Sequence, residues 1–570
     1  MKTKSLHIGA AFVLAMLVLA VAGAAVPAQA LTPTTVHDFN GVPGPVSPFI
    51  QAIAQGRDGN LYLTAGGGDG GAVNCTVTYC GEAFNITPSG TVTDLYDFSN
   101  NDCSNTNCGN TANGGMTLGT DGNFYGAFYY GGTTNNNGEV FKLTPAGVLT
   151  ALHNFTGGTD GSHPNGAPIQ AANGIFYGTT SAANAGDSTA YSVTSAGVFT
   201  TLHTFTGTDG QYVQAPLVQG TDGNFYGDTV AGGTSGNGVI FKMTKSGTVT
   251  VLHNFTGTDG SNGTFPLIQA SDGNFYGSTY AGGSAGAGVI FKITSNGTYT
   301  VLHNINGTTD GNGPWGSLVQ ATDGKLYGLT DNTCIGFNGT IFSVTTSGTF
   351  TTLYSFTSGT DGGVPLSPLR QHTNGLLYGT TYSGGDLNDC FSNPCGSLFL
   401  GCGEVYSLNI GAAPFASLVS TSGKEGVKIG ILGQGFTTAS VVKFGGTQAT
   451  AITLSGTTFI TATVPAAALT GSVTVTTGAT TLTSNNKFRV TPTFVSFNPT
   501  SGSVGTPVVL TGTGLTQTTK VTFGGVKATT VTVNSDTQVT ANVPTGAVTG
   551  KIAITTLGGS VTSTTNFTVL

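Results

Sequence analysis

An all-β chain is predicted, a seven-bladed β-propeller running into two immunoglobulin-like sandwiches, and three observations predict it. A short turn motif recurs seven times at a nearly fixed interval. Each recurrence sits among four strand-like runs, and the segment from Pro414 onward carries a second, longer repeat.

The turn glycine of the first repeat stands at Gly59, Gly122, Gly174, Gly223, Gly273, Gly324 and Gly375, in contexts such as Asp222-Gly223-Asn224-Phe225-Tyr226-Gly227. Five of the six intervals are 49 to 52 residues; the first, 63, carries its excess in two cysteine-bearing insertions. One unit reads as the runs 266–270, 274–280, 289–294 and 298–305, rich in Val, Ile, Phe, Tyr and Thr. Between them lie Ser271-Asp272-Gly273, a Gly-rich stretch and Ser295-Asn296-Gly297. Four antiparallel strands in a repeat of about 50 residues is the pattern of propeller blades.

A fourth-strand motif ends the first six repeats, at 94–98, 151–155, 201–205, 251–255, 301–305 and 352–356. The seventh has none, because Glu404-Val405-Tyr406-Ser407-Leu408 leads straight into Gly411-Ala412-Ala413-Pro414. Val36-His37-Asp38-Phe39 fits the missing strand. The N-terminal segment is therefore expected to complete the last blade and close the ring, which removes two unpaired sheet edges. Over residues 31–412 the chain resembles the tandem-repeat family known as GloVer repeats, found in exported bacterial proteins. The resemblance implies no activity. Gly-Gly pairs such as Gly232-Gly233 and Gly282-Gly283 are also similar to kelch repeats, without the kelch tryptophan; Trp315 is the one tryptophan.

From Pro414 the repeat changes to one with an offset of 79: Gly435 matches Gly514, Phe444-Gly445-Gly446 matches Phe523-Gly524-Gly525, and Val464-Pro465 matches Val543-Pro544. Each copy, 413–490 and 491–570, resembles an IPT/TIG module, an immunoglobulin-like sandwich. Some relatives of this module bind DNA, but that needs a basic face. Here the lysines are few and scattered, and a role as spacer or adhesion unit is expected.

Lys2 and Lys4, the apolar run that follows and Ala28-Gln29-Ala30 read as a signal peptide over 1–30, so a secreted or cell-surface protein is expected. No later segment is apolar enough to span a bilayer, and no anchor is legible. Only 7% of residues are charged, against about a quarter in ordinary globular domains. The surface is consequently rich in hydroxyls and amides, and the net charge of -8 argues against nucleic acid.

Loops joining strands two to three, and four to the next blade, share one face, and they vary widely. The other face carries tight, uniform turns suited to hairpins. All eight cysteines fall on the variable face. Local disulfides Cys75–Cys80, Cys103–Cys108 and Cys390–Cys395 are expected, with Cys334 and Cys402 joining blades six and seven; eight cysteines allow 105 pairings, so other connectivities stay open.

Glu82, Glu139 and Glu404 begin third strands in the same sector. They are candidates for binding a sugar or cation, or for acid–base work if two stand about 5–10 Å apart. The plain alternative is three solvated strand caps. Phe128, Tyr129 and Tyr130 are aromatic ligand-binding candidates. The recurring His37, His153, His203, His253 and His303 obey the repeat and read as structural, as do Asp160, Asp209, Asp259, Asp310 and Asp361. His163 and His372 stand outside the pattern. No catalytic constellation, metal site or cofactor motif is found. The expected function is a monomeric extracellular binding or adhesion protein, its loop face engaging a polysaccharide or surface macromolecule and its sandwiches acting as spacer. A carbohydrate-active hydrolase or lyase and a structural envelope or matrix protein are the alternatives.

Overall fold

The computed structural model describes residues 31–39, 53–65, 81–98, 115–132, 136–181, 188–331, 339–385 and 403–570. The export segment and all eight cysteines, with their expected disulfides, lie outside the described residues. Within these, every regular element is a strand.

The unit read from sequence as four runs forms Ile268–Gln269, Phe275–Thr279, Val289–Ile293 and Tyr299–Asn304, one antiparallel four-stranded sheet. Five other repeats make the same kind of sheet in strict chain order, the build of a propeller-like blade. The last repeat is completed from the far end of the chain. Thr34–Asp38 pairs antiparallel with Glu404–Leu408, which pairs with Leu377–Ser383.

The N-terminal strand also reproduces the irregularity of its counterparts. Each third-to-fourth strand ladder skips one residue: Leu95, Leu152, Leu202, Leu252, Leu302 or Leu353, and Val36 in the completing strand. The bulge turns that residue's carbonyl toward the following blade, where a hairpin glycine receives it. A Cβ at Gly90 would lie 2.2 Å from the carbonyl oxygen of Val36, and one at Gly147 the same distance from that of Leu95. Gly90 has a φ of 95°, so only glycine suits it on both counts.

Stacked aromatics join successive sheets. Tyr62 stacks on Phe124 (4.1 Å between centroids), Tyr125 on Phe176 (3.8 Å) and Tyr226 on Phe275 (3.9 Å). Each of these tyrosines also donates its hydroxyl to the turn aspartate four residues earlier, Asp58, Asp121 or Asp222. Outer strands are joined by the recurrent histidines. Nε2 of His153, His203, His253 and His303 lies 3.1, 2.7, 3.0 and 2.8 Å from Asp160, Asp209, Asp259 and Asp310. The rings of His153, His253 and His303 lie nearly flat on Phe199, Tyr299 and Phe350 of the next sheet.

The two C-terminal modules repeat each other in structure. In the first, a sheet of Ser417–Leu418, Lys428–Leu432, Phe459–Thr463 and Ile452–Ser455 faces one containing Val441–Phe444, Gly471–Thr477 and Thr480–Val490. Phe444 and Phe488 meet edge to face at 5.0 Å in its core, and Phe523 and Phe567, each 79 positions on, meet at 5.1 Å in the second.

Residues 31–570 form one compact unit. The first module sits on the tight-turn face of the repeat region rather than trailing from it. Thr458 donates its hydroxyl to the carbonyl of Arg57 (2.7 Å), and the Arg57 guanidinium lies 4.5 Å over the Phe459 ring. Gln434 donates to the Thr373 hydroxyl (2.9 Å), and Arg489 donates to the Thr221 carbonyl.

Candidate functional site

Two regions break the symmetry of the repeat, which otherwise assigns the same residue to the same structural duty in sheet after sheet. One lies on the variable-loop face. Strand Phe124–Phe128 ends with Phe128 wholly inside the core, its ring stacked 4.6 Å from Phe141 and edge-on to Phe98. Of the three aromatic candidates, Phe128 thus fills the blade and presents no ring to a ligand. Tyr129 is half-buried and Tyr130 exposed at 38%, their rings 4.7 Å apart and nearly perpendicular.

His163 joins them, 5.0 Å from Tyr129 and 5.2 Å from Tyr130. It is held at a φ of 57° by a main-chain bond from its N–H to the Asn137 carbonyl (2.7 Å), with the Ser181 N–H donating to its own carbonyl (3.0 Å). Burial lowers its pKa below the ordinary imidazole value, and Nδ1 is buried without a hydrogen-bond partner. The sequence signal was available: His163 is off the histidine register that the repeat sets. A second aromatic group occupies the same face. Trp315 lies 5.2 Å from Phe265 and 5.7 Å from Tyr280, and packs, as Tyr382 does, against the cluster of Val364 and Leu366. The sequence marked Trp315 as unique but did not place it beside other rings.

The three glutamates are not solvated strand caps. Glu82, Glu139 and Glu404 are 2%, 4% and 1% exposed, and at Glu404 the connection leading into the last blade lies over the strand start, where a Cβ at Gly362 would come within 3.0 Å of its carboxyl oxygen. At the same place in other sheets, the hydroxyls of Thr189 and Thr340 bond the carbonyls of Asp160 and Asp310 in the corresponding connections. Glu404 receives the Thr35 hydroxyl at 2.7 Å and the repulsion of Asp38 and Asp361. Burial, with those neighbours, pushes its pKa up to about 7. A carboxyl of that pKa suits acid–base chemistry, but it is walled from solvent and positioned to hold the completing strand.

His372, the other histidine outside the pattern, is buried at a junction. Its Nε2–H donates to the Gly59 carbonyl (2.9 Å), and Nδ1 accepts the Asn374 N–H (3.2 Å). It therefore binds the last sheet to the first as a neutral imidazole, whose pKa burial lowers.

The second symmetry-breaking region is a cavity of about 1000 Å³ along the axis around which the blades stand. Inner strands of the blades line it, joined by Ile410–Phe415 and by Thr481 and Thr483–Asn486 of the first module. Its walls combine Leu, Ile, Val and Pro side chains with Ser and Thr hydroxyls and the amides of Gln269, Gln320, Asn485 and Asn486. Asp323 and Arg370 are the charged residues among the lining.

The Gloeobacter/Verrucomicrobia repeat matches residues 24–188 and 170–392, and the IPT/TIG domain matches 414–490 and 492–569. This chain belongs to the Gloeobacter/Verrucomicrobia repeat family. No curated protein matches it. Among solved structures, it is similar to SGBP-B from a xyloglucan utilization locus of Bacteroides uniformis, with 22% identity over 25% of this chain and 46% of that one and a TM-score of 0.14. A surface glycan-binding protein of Prevotella bryantii gives 16% identity over 26% of this chain and 38% of that one, TM-score 0.21. A fungal alcohol oxidase of the AA5 family gives 13% over 95% of this chain and 100% of that one, TM-score 0.42. The match thus takes in less than half the length of either glycan-binding protein.

Proposed function

We propose that this family member is a secreted binding or adhesion protein, a closed seven-bladed propeller whose loop face holds a glycan against aromatic rings. The observation that carries this reading is the Tyr129–Tyr130–His163 group, which gathers three rings at a variable-loop surface where the fourth and fifth blades carry Val230-Ala231 and Tyr280-Ala281. Sugar rings present apolar C–H faces between hydroxyls. A half-exposed tyrosine offers them both a flat apolar surface and a phenolic hydroxyl. The Trp315 group adds a second such surface, and the scarcity of charge favours a ligand recognised by hydroxyl and amide hydrogen bonds. Disulfides Cys75–Cys80, Cys103–Cys108, Cys390–Cys395 and Cys334–Cys402 complete the proposal as staples of the loops around these groups.

Retention of the secreted protein on a panel of insoluble plant and microbial polysaccharides tests it. At least one polymer should retain the wild type, and Tyr129→Ala with Tyr130→Ala should cut retention on the order of tenfold, the loss of two stacking contacts. Retention by none of them, or no loss in the double variant, rejects the reading.

A further inference from the structure

The axial cavity holds a charge that nothing in the fold answers. In each blade the inner-strand residue paired with the recurrent tyrosine of the second strand occupies one register: Ala54 with Tyr62, Thr117 with Tyr125, Ile169 with Tyr177, Val218 with Tyr226, Ile268 with Tyr276, Val319 with Tyr327 and Arg370 with Tyr378. Six of the seven are small or aliphatic. Thr117, Ile169, Val218, Ile268, Val319 and Arg370 all line the cavity, so at this register a guanidinium stands where the other blades place uncharged Thr, Ile or Val.

Arg370 has no ion pair among the described residues, and its Nε is buried without a hydrogen-bond partner. The surface it keeps is open to the cavity; the walls still strip it of bulk water and lower its pKa, with no neighbouring acid to offset them. The one acid of the lining is already engaged, since Asp323 accepts the Tyr327 hydroxyl (2.8 Å) and the Lys325 N–H (3.1 Å). An unpaired cation in a low-polarity wall destabilises a fold, and the repeat shows that an aliphatic residue serves there. Residues that break local rules at a cost to stability mark functional sites.

We propose that the axial cavity is a binding site for a small sugar acid, whose carboxylate pairs with Arg370. The planar fork of a guanidinium matches a carboxylate with two parallel hydrogen bonds. The aliphatic residues of the wall face the C–H surface of a sugar ring, and Asn485 and Asn486 supply amides for its hydroxyls. The volume suits a mono- or disaccharide, within the usual range of ligand cavities. This site shares Phe265 and Leu366 with the Trp315 group, but none of its lining with Tyr129, Tyr130 or His163, and it does not depend on those three.

The test is titration calorimetry of the mature full chain with glucuronate, glucose and inorganic sulfate, each to about 10 mM. Glucuronate should bind saturably and more tightly than glucose or sulfate. Arg370→Ile, which restores the residue found at Ile169 and Ile268, should melt no lower than wild type and lose glucuronate affinity on the order of tenfold to a hundredfold. Arg370→Lys should retain part of it, and the Tyr129→Ala, Tyr130→Ala double variant should bind glucuronate as wild type does. No saturable glucuronate binding, sulfate binding as tightly as glucuronate, or undiminished binding by Arg370→Ile would each overturn the proposal.

Discussion

Gln55 reaches across 318 residues to Thr373, accepting its main-chain N–H at 3.1 Å and donating its own amide to the hydroxyl at 2.8 Å. The same clasp recurs between neighbours along the chain. Gln170 accepts from Thr120, Gln219 from Ala172, Gln269 from Thr221, Gln320 from Ser271 and Gln371 from Thr322. The first and last repeats are thus joined by the bond that joins consecutive ones. Where Leu118 stands in the glutamine's place, Arg57 makes the connection instead, donating to the Thr120 carbonyl.

Gln55→Ala should destabilise the protein by about 1–3 kcal/mol, since it leaves buried groups of Thr373 without their partner. Gln170→Ala, at a solvent-exposed clasp, should cost less. Urea unfolding of the two variants makes the comparison; equal effects would mean that the junction between the ends of the repeat region is no more buried than the others.

Removal of residues 34–39 should expose the strand Glu404–Leu408 along its free edge and draw Phe39 out of the core it shares with Phe84 and Val405. The expected results are a lower melting temperature and concentration-dependent association by light scattering, the behaviour of an open sheet edge.

The raised pKa of Glu404, about 7, fixes the sign of a pH effect. The folded protein holds this proton more tightly than the unfolded chain, so the stabilisation is complete below the unfolded value near 4.5 and is lost as pH rises to about 7. Glu404→Gln should flatten that slope and make the variant more stable than wild type at pH 8, by at most about 3 kcal/mol. Thermal melts from pH 4 to about pH 8 read it directly.

A second proton lies between the sandwiches. Glu425 of the first is pushed up to about 7 by burial and by its hydrogen bond to Asp536 of the second, while hydrogen bonds from Thr516, Glu425 and the Gly514 and Thr516 N–H groups outweigh burial and hold Asp536 low. Below neutrality the pair shares a proton; above it, two carboxylates face each other. Small-angle scattering should show the modules loosening between pH 6 and about pH 8, and Glu425→Gln should abolish the change.

Sequence periodicity made the fold legible because each duty in a blade is done by the same residue at the same register. His253 and Asp259, or Tyr226 and Asp222, are visible as structural pairs for that reason. The site was less legible, since what distinguishes Glu404 from a strand cap is the connection that folds over it, and local sequence does not encode that covering. Arg370 was passed over because its neighbours on either side look ordinary; only the strand register sets it against Ile169, Val218 and Ile268. The seat of the first sandwich was illegible as well, depending on Thr458 and Gln434 meeting turns roughly 400 and 60 residues away.

Arg57, Thr221 and Thr373, which receive the first sandwich, belong to the first, fourth and last blades. Tension drawn through the C-terminal modules therefore reaches the ring at the adjoining first and last blades and again at the fourth, instead of at the single peptide thread near Pro414. A pull is shared around the circumference, and the sheets meet it together.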